Sequence, residues 1–225
     1  MKVVEATTVF GAAYYNNMQR LEELLVGGAD VNARGETGRT ALHYAAFNGN
    51  VPMVRYLLEH GANARLGDRD AVVPLHLATW SLDTDIIKLL CTRGAYINDL
   101  STDEMSALFF IPFTKSGGVE TLETLLHLGI NPNSRDSGGQ TLLMIASGRG
   151  INAWVELLLH HRANPNIEIM LGRTARLFAA QKGHLETVRL LLEHGAVVPD
   201  GFPIDEIEAS GHTRTAELVK QAILK

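Results

Sequence analysis

Several things are scarce in this 225-residue chain. Cysteine is nearly absent. Cys91 stands alone, so no internal disulfide can staple the fold, and a reducing compartment suits the sequence. Long apolar runs are missing, and no segment is long and apolar enough to span a bilayer. Near the N-terminus, Glu5, Thr7 and Thr8 interrupt any apolar core around Gly11-Ala12-Ala13, so no signal peptide is expected despite Lys2. Positive charge is also short. The 20 Lys and Arg against 25 Asp and Glu leave a net charge of −5, which argues against a phosphate backbone as the main partner. Aromatic residues make up only 6%, yet four of them, Tyr14, Phe47, Trp80 and Phe113, lie 33 residues apart.

That spacing belongs to an internal repeat. Thr40-Ala41-Leu42-His43-Tyr44-Ala45-Ala46 returns 33 residues later as Val73-Pro74-Leu75-His76-Leu77-Ala78-Thr79. Ser106-Ala107-Leu108-Phe109, Thr141-Leu142-Leu143-Met144 and Thr174-Ala175-Arg176-Leu177 continue the series, and Thr7–Ala13 is a degenerate first copy. A second block follows each, as in Leu57-Leu58-Glu59-His60-Gly61-Ala62 and Leu191-Leu192-Glu193-His194-Gly195-Ala196. Two short apolar-periodic segments and a Gly- and Asn-rich connection make each unit. A lone helix pair of that size cannot bury its apolar face, whereas stacked neighbours can.

On these motifs the chain resembles the ankyrin-repeat family. The resemblance implies an all-α solenoid of helix-turn-helix units with β-hairpin or loop connections. It predicts one domain over 1–225, with repeats at about 2–34, 35–67, 68–100, 101–135, 136–168 and 169–198 and a shortened C-terminal cap at 199–225. Gly28, Gly61, Gly94, Gly129 and Gly195 suit left-handed helix caps; the fifth repeat has Arg162 there, which predicts a strained or rearranged cap. Cys91 falls on a core Leu position and is expected to be a buried, inert thiol. In the fourth repeat Pro112 should end the first helix early, and two residues are inserted near 114–118.

The same register argues against an enzyme. His43 and His76 sit at the helix-start His of the motif, where the resemblance implies a ring bonded to neighbouring hairpin backbone. The remaining repeated histidines flank glycines, and the adjacent His160 and His161 do not share a helix face. No phosphate-cradling loop with a Lys, no nucleophile elbow and no evident acid–base pair stands in the sequence. No catalytic residue, metal or cofactor is expected.

Ankyrin-like units line a groove with the first helix and the hairpin tips. The resemblance places Tyr14, Phe47, Trp80 and Phe113 on that groove, with Tyr15 beside them. The hairpin position before the motif Thr contributes Arg39, Val72, Met105 and Arg173. Repeats five and six turn basic, with Arg149, Arg173 and Lys182. With helices about 8–10 Å apart and an extended peptide advancing about 3.3 Å per residue, each repeat spans about three ligand residues. The expected partner is therefore a protein or peptide with apolar anchors at every third residue and acidic residues over the basic end. Nucleic acid and membrane are not expected partners, and the chain is expected to be monomeric and cytoplasmic. The alternative is a scaffold or inhibitor gripping a folded partner with its hairpin tips, including a microbial effector acting in a host cell. Asn32, Asn98, Asn133 and Asn166 share a hairpin position and are expected to bond backbone locally. Asn32, with Leu24 and Asp30 upstream, resembles sites modified by an asparaginyl hydroxylase in animal ankyrins and is a candidate hydroxylation site.

Overall fold

Thr8, Asn17, Asn50, Asp83, Thr141 and Thr174 each precede an apolar helical stretch and each cap it. Their side-chain oxygens accept the N–H groups of Gly11 (3.1 Å), Arg20 (3.0 Å), Met53 (2.9 Å), Ile86 (3.0 Å), Met144 (3.3 Å) and Leu177 (3.3 Å). Such a bond satisfies one of the orphan donors of a helix start, worth about 1 kcal/mol. The computed structural model describes residues 7–113 and 117–224. Lys2 and Glu5, and Thr114, Lys115 and Ser116 of the segment that holds the two-residue insertion, lie outside the described residues.

The chain is all-α and divides into two compact units, Met1–Ile130 and Asn131–Lys225. The first holds α1 (Val9–Tyr14), α2 (Met18–Val26), α3 (Ala41–Phe47), α4 (Val51–Glu59), α5 (Pro74–Ser81), α6 (Thr84–Thr92), a 3-10 turn (Ala107–Phe110) and α7 (Gly118–His127). Helices α1, α3, α5 and the turn pack one on the next, as do α4, α6 and α7. Leu42, Ala45, Ala46, Leu57, Leu75, Ile86, Leu90, Leu122 and Leu125 close the space between them.

The second unit holds α8 (Leu142–Gly148), α9 (Asn152–His160), a 3-10 turn (Met170–Gly172), α10 (Ala175–Gln181), α11 (Leu185–Glu193), α12 (Ile204–Ala209) and α13 (Thr213–Ile223). Here α10 packs between α8 and α12, and α11 between α9 and α13. Its core runs through Leu143, Trp154, Val155, Leu158, Ala179, Val188, Leu191, Ile207 and Val219. Among the described residues the hairpins form only isolated bridges, Arg135 with Thr141 and Ile169 with Arg173.

The glycine caps take the left-handed conformation, with φ between 84° and 95° at Gly28, Gly61, Gly94, Gly129 and Gly195. Arg162 does the same at φ 65°. Its cap is not rearranged: the Ala163 N–H bonds the Leu158 carbonyl at 2.9 Å, as Ala62 bonds Leu57 and Ala196 bonds Leu191, both at 2.9 Å. The strain stays in one residue.

One further expectation holds and two are corrected. Cys91 is half-buried rather than fully enclosed, and partial burial still pushes its thiol up to about 11, away from reactive thiolate. The first helix of the fourth repeat does end early, as Pro112 implied: it is reduced to one 3-10 turn, and Ile111, forced extended ahead of Pro112, ends it at ψ 119°. The hairpin asparagines bond across repeats rather than locally. Asn32 gives its amide to the Gly61 carbonyl (3.2 Å) and accepts the Asn63 N–H (2.8 Å); Asn166 does likewise with Gly195 (2.9 Å) and Val197 (2.8 Å). Asn98 reaches Gly129 (3.5 Å), and Asn133 accepts the Asn164 N–H (2.7 Å). The local turns belong instead to the residues two positions earlier, Asp30, Asn63, Asn131 and Asn164.

Candidate binding surface

Short first helices hold their C-terminal residues at the edge of each stack. Tyr14 ends α1, Phe47 ends α3 and Trp80 is the penultimate residue of α5. These rings are 57%, 44% and 43% exposed, and Tyr15 is 50% exposed. The core slots behind them are already filled by Ala12, Ala13, Ala45, Ala46 and Ala78. Tyr14 meets Tyr15 and Tyr44 edge-to-face, at ring distances of 5.0 and 5.3 Å, so its ring is braced by its neighbours while much of its surface meets solvent. Phe113 follows the shortened helix of the fourth repeat and is half-buried.

Beside the stripe, the hairpins are held by buried polar clamps. The Asp68 side chain accepts the N–H groups of Asp70 and Val72, both at 3.0 Å, and takes Arg39 Nε at 2.9 Å on its second oxygen. Arg39 is thus committed to a partner within the fold. Val72 is 8% exposed and is withdrawn from the surface that the sequence assigned it: its amide is tied to Asp68 and its carbonyl to His43. Met105 is half-buried, clamped through Ser101. Successive tips are stitched by Arg69 N–H to Thr37 carbonyl (3.0 Å) and Thr102 N–H to Asp70 carbonyl (2.9 Å).

His43 anchors this wall. Its Nδ1 accepts the Thr40 N–H (3.1 Å), so the proton sits on Nε2, which donates to the Val72 carbonyl (2.9 Å). His76 repeats the arrangement with Val73 (3.0 Å) and Asp99 (3.1 Å). Both rings are fully enclosed. Burial pushes His43 down to about 4 and His76 down in the same direction. A neutral, doubly bonded imidazole positions backbone and leaves no lone pair for a metal. Among the described residues, no three His, Cys, Asp or Glu side chains are grouped to hold a metal ion, and no helix is long and apolar enough to cross a membrane.

In the second unit Arg149 and Lys182 are the C-cap residues of α8 and α10, and Arg173 follows the hairpin tip; all three are exposed. A cation at a helix C-terminus also suits the helix dipole. The sequence reading overlooked Met170. It and Leu171 are each 86% exposed at the tip of that hairpin, and Leu171 is left-handed at φ 65°. The signal was present: Ile169 stands where Asp68 and Asp136 clamp the equivalent tips, and two large apolar residues follow it. Arg176 is buried, with Nε and Nη2 unpartnered and its guanidinium 4.7 Å from the centre of the Phe202 ring.

Comparison with known proteins agrees with this architecture. The family model "Ankyrin repeats (3 copies)" matches residues 9–101 and 113–200, breaking across the segment that holds the 3-10 turn. A crystal structure of an ankyrin repeat domain from Acinetobacter baumannii AYE is 30% identical, with a TM-score of 0.74 over 83% of this chain and 97% of that one. No curated protein matches the chain. Solved structures contribute 523 matching chains, so the scaffold is widely shared and partner choice rests on the surface it carries. The chain belongs to the ankyrin-repeat family, whose repeats generally serve as protein–protein interaction modules rather than as enzymes.

Proposed function

We propose that this protein binds, without catalysis, an extended segment of a protein partner along the aromatic stripe of its first unit. Six repeats and a shortened cap are the reading of the array that goes with it. The observation that carries the proposal is the exposure of Tyr14, Tyr15, Phe47 and Trp80 at one repeated register, on helices whose core slots are filled without them. Tyr and Trp are over-represented among binding hot spots, and a run of exposed apolar surface at a fixed register marks an interaction site. The clamped hairpins beside the stripe form a rigid wall, so little ordering entropy is lost on binding. Anchors at three-residue spacing match the repeat spacing. Arg149, Arg173 and Lys182 of the second unit are proposed to attract acidic residues of the partner. Asn32 as a hydroxylation site is a separate proposal; its amide is already engaged on both sides.

A display selection against the intact chain, repeated with Trp80→Ala, tests this. A motif with apolar residues at every third position, lost in the variant, supports the stripe. A motif indifferent to Trp80 contradicts it.

The exposed Met170 and Leu171 favour a second reading, in which hairpin tips grip a folded partner. A selection that returns folded domains, and no linear motif, favours that reading.

A further inference from the structure

We infer that the segment held on the aromatic stripe is cationic, with Lys or Arg between its apolar anchors and most strongly over the Trp80 end; this rests on the reading above. The charge is unevenly divided between the units. Residues 1–130 carry 15 Asp and Glu against 10 Lys and Arg, while residues 131–225 carry 10 of each, so the whole net charge of −5 lies in the unit that bears the stripe.

Within that unit the floor is uncharged: α1, α3, α5 and the 3-10 turn contain no Asp, Glu, Lys or Arg. The wall therefore sets the sign. In the hairpin before α3, Asp30 and Glu36 are balanced by Arg34 and Arg39. The next hairpin balances Asp68 and Asp70 with Arg65 and Arg69. The third has Asp99, Asp103 and Glu104 and no cation of its own. Arg39 is spent on Asp68 (2.9 Å) and Arg65 on Asp99 (3.5 Å). Across the three stitched tips the exposed carboxylates are Glu36, Asp70, Asp103 and Glu104, against the exposed cations Arg34 and Arg69, and the excess of carboxylates lies toward the third tip.

An acidic wall over aromatic faces selects one kind of peptide. Cations gain from the carboxylates and from the negative faces of exposed rings, Trp most of all. An acidic segment is repelled by the wall. The segment held by the first unit is thus basic, and the acidic residues proposed for Arg149, Arg173 and Lys182 concern the second unit alone.

The test uses fluorescein-labelled peptides of about 12 residues, long enough at ~3.3 Å per residue to follow four repeats. All carry Leu or Pro at every third position; the intervening positions are Lys and Arg, Gln, or Glu. Binding is read by fluorescence polarisation to the full chain, to Trp80→Ala and to Asp70→Asn/Asp103→Asn/Glu104→Gln. The basic series should bind at least ~10-fold tighter than the acidic series at low ionic strength, with the advantage shrinking toward ~0.5 M salt. The three tip substitutions should erase that advantage and leave the Gln series unchanged, while Trp80→Ala weakens every series. If the Gln or Glu series binds as well as the basic one and still depends on Trp80, the inference is overturned and the stripe reading stands. If no series binds, or binding ignores Trp80, the stripe reading falls and the inference with it.

Discussion

Arg162 occupies a cap position where five other repeats use glycine, at φ 65° and with the cap hydrogen bond intact. A non-glycine residue in the left-handed region costs roughly 1–2 kcal/mol, part of which a glycine would return as unfolded-chain entropy. Arg162→Gly should therefore stabilise the chain by about 1 kcal/mol, seen as a rise of about 2 °C or more in Tm; an unchanged or lower Tm would mean that Arg162 makes a compensating contact. His43 gives a second prediction at this scale. Above pH ~6.5 its ring is neutral in both folded and unfolded chains. As the pH falls from there toward about 4, the unfolded chain takes up a proton that the folded chain refuses, so stability falls through that window. The full loss below pH 4 is about 3 kcal/mol, and His76 adds in the same direction. Urea unfolding across this window should show a flatter pH slope in His43→Gln than in the parent chain; equal slopes would contradict the assignment. Single positions were unevenly legible. The repeat register placed Tyr14 and Trp80 correctly at the ends of helices. It overestimated the burial of Cys91, and it misplaced Val72 because which way a side chain turns at a shared hairpin register depends on the neighbouring clamp, here Asp68.

At the scale of elements, helix pairs and their caps could be read because each is set by local chemistry: Thr or Asn before an apolar run, glycine after it. Bonds between hairpins could not, since they depend on the distance between neighbours rather than on sequence order. The asparagine bridges are the clearest instance. They also expose a gap: Arg65 holds the position that Asn32 and Asn98 hold in adjacent repeats, and it lies over Tyr96 instead, 5.8 Å from the ring centre. Arg65→Asn should restore a bridge to Gly94 and Tyr96. Two hydrogen bonds at ~0.5–1.5 kcal/mol each outweigh the exposed Arg65–Asp99 ion pair, so a net gain of about 1 kcal/mol is expected in urea unfolding. A loss of stability would show that this hairpin is spaced differently from its neighbours. The fourth repeat sits at the other limit of legibility. Pro112 announced an early stop, and the 3-10 geometry of Ala107–Phe110 is how the backbone accommodates it.

For the whole molecule, periodicity alone carried the architecture, since a 33-residue recurrence of core positions leaves stacked helix pairs as the way to bury them. The surface was only partly legible. Aromatic register was visible in the sequence, whereas the neutralisation of Arg39 and Arg65, which leaves the first unit's wall acidic, required the folded geometry. The central claim is that the stripe is surplus to folding and available for binding. The most direct measurement is a paired determination on Trp80→Ala: its Tm, and its Kd for the best peptide from the display selection. Because Trp80 is 43% exposed, the account predicts a stability loss under about 1.5 kcal/mol together with an affinity at least ~30-fold weaker. A large fall in Tm with affinity unchanged would show that the ring serves packing, and the claim would be wrong.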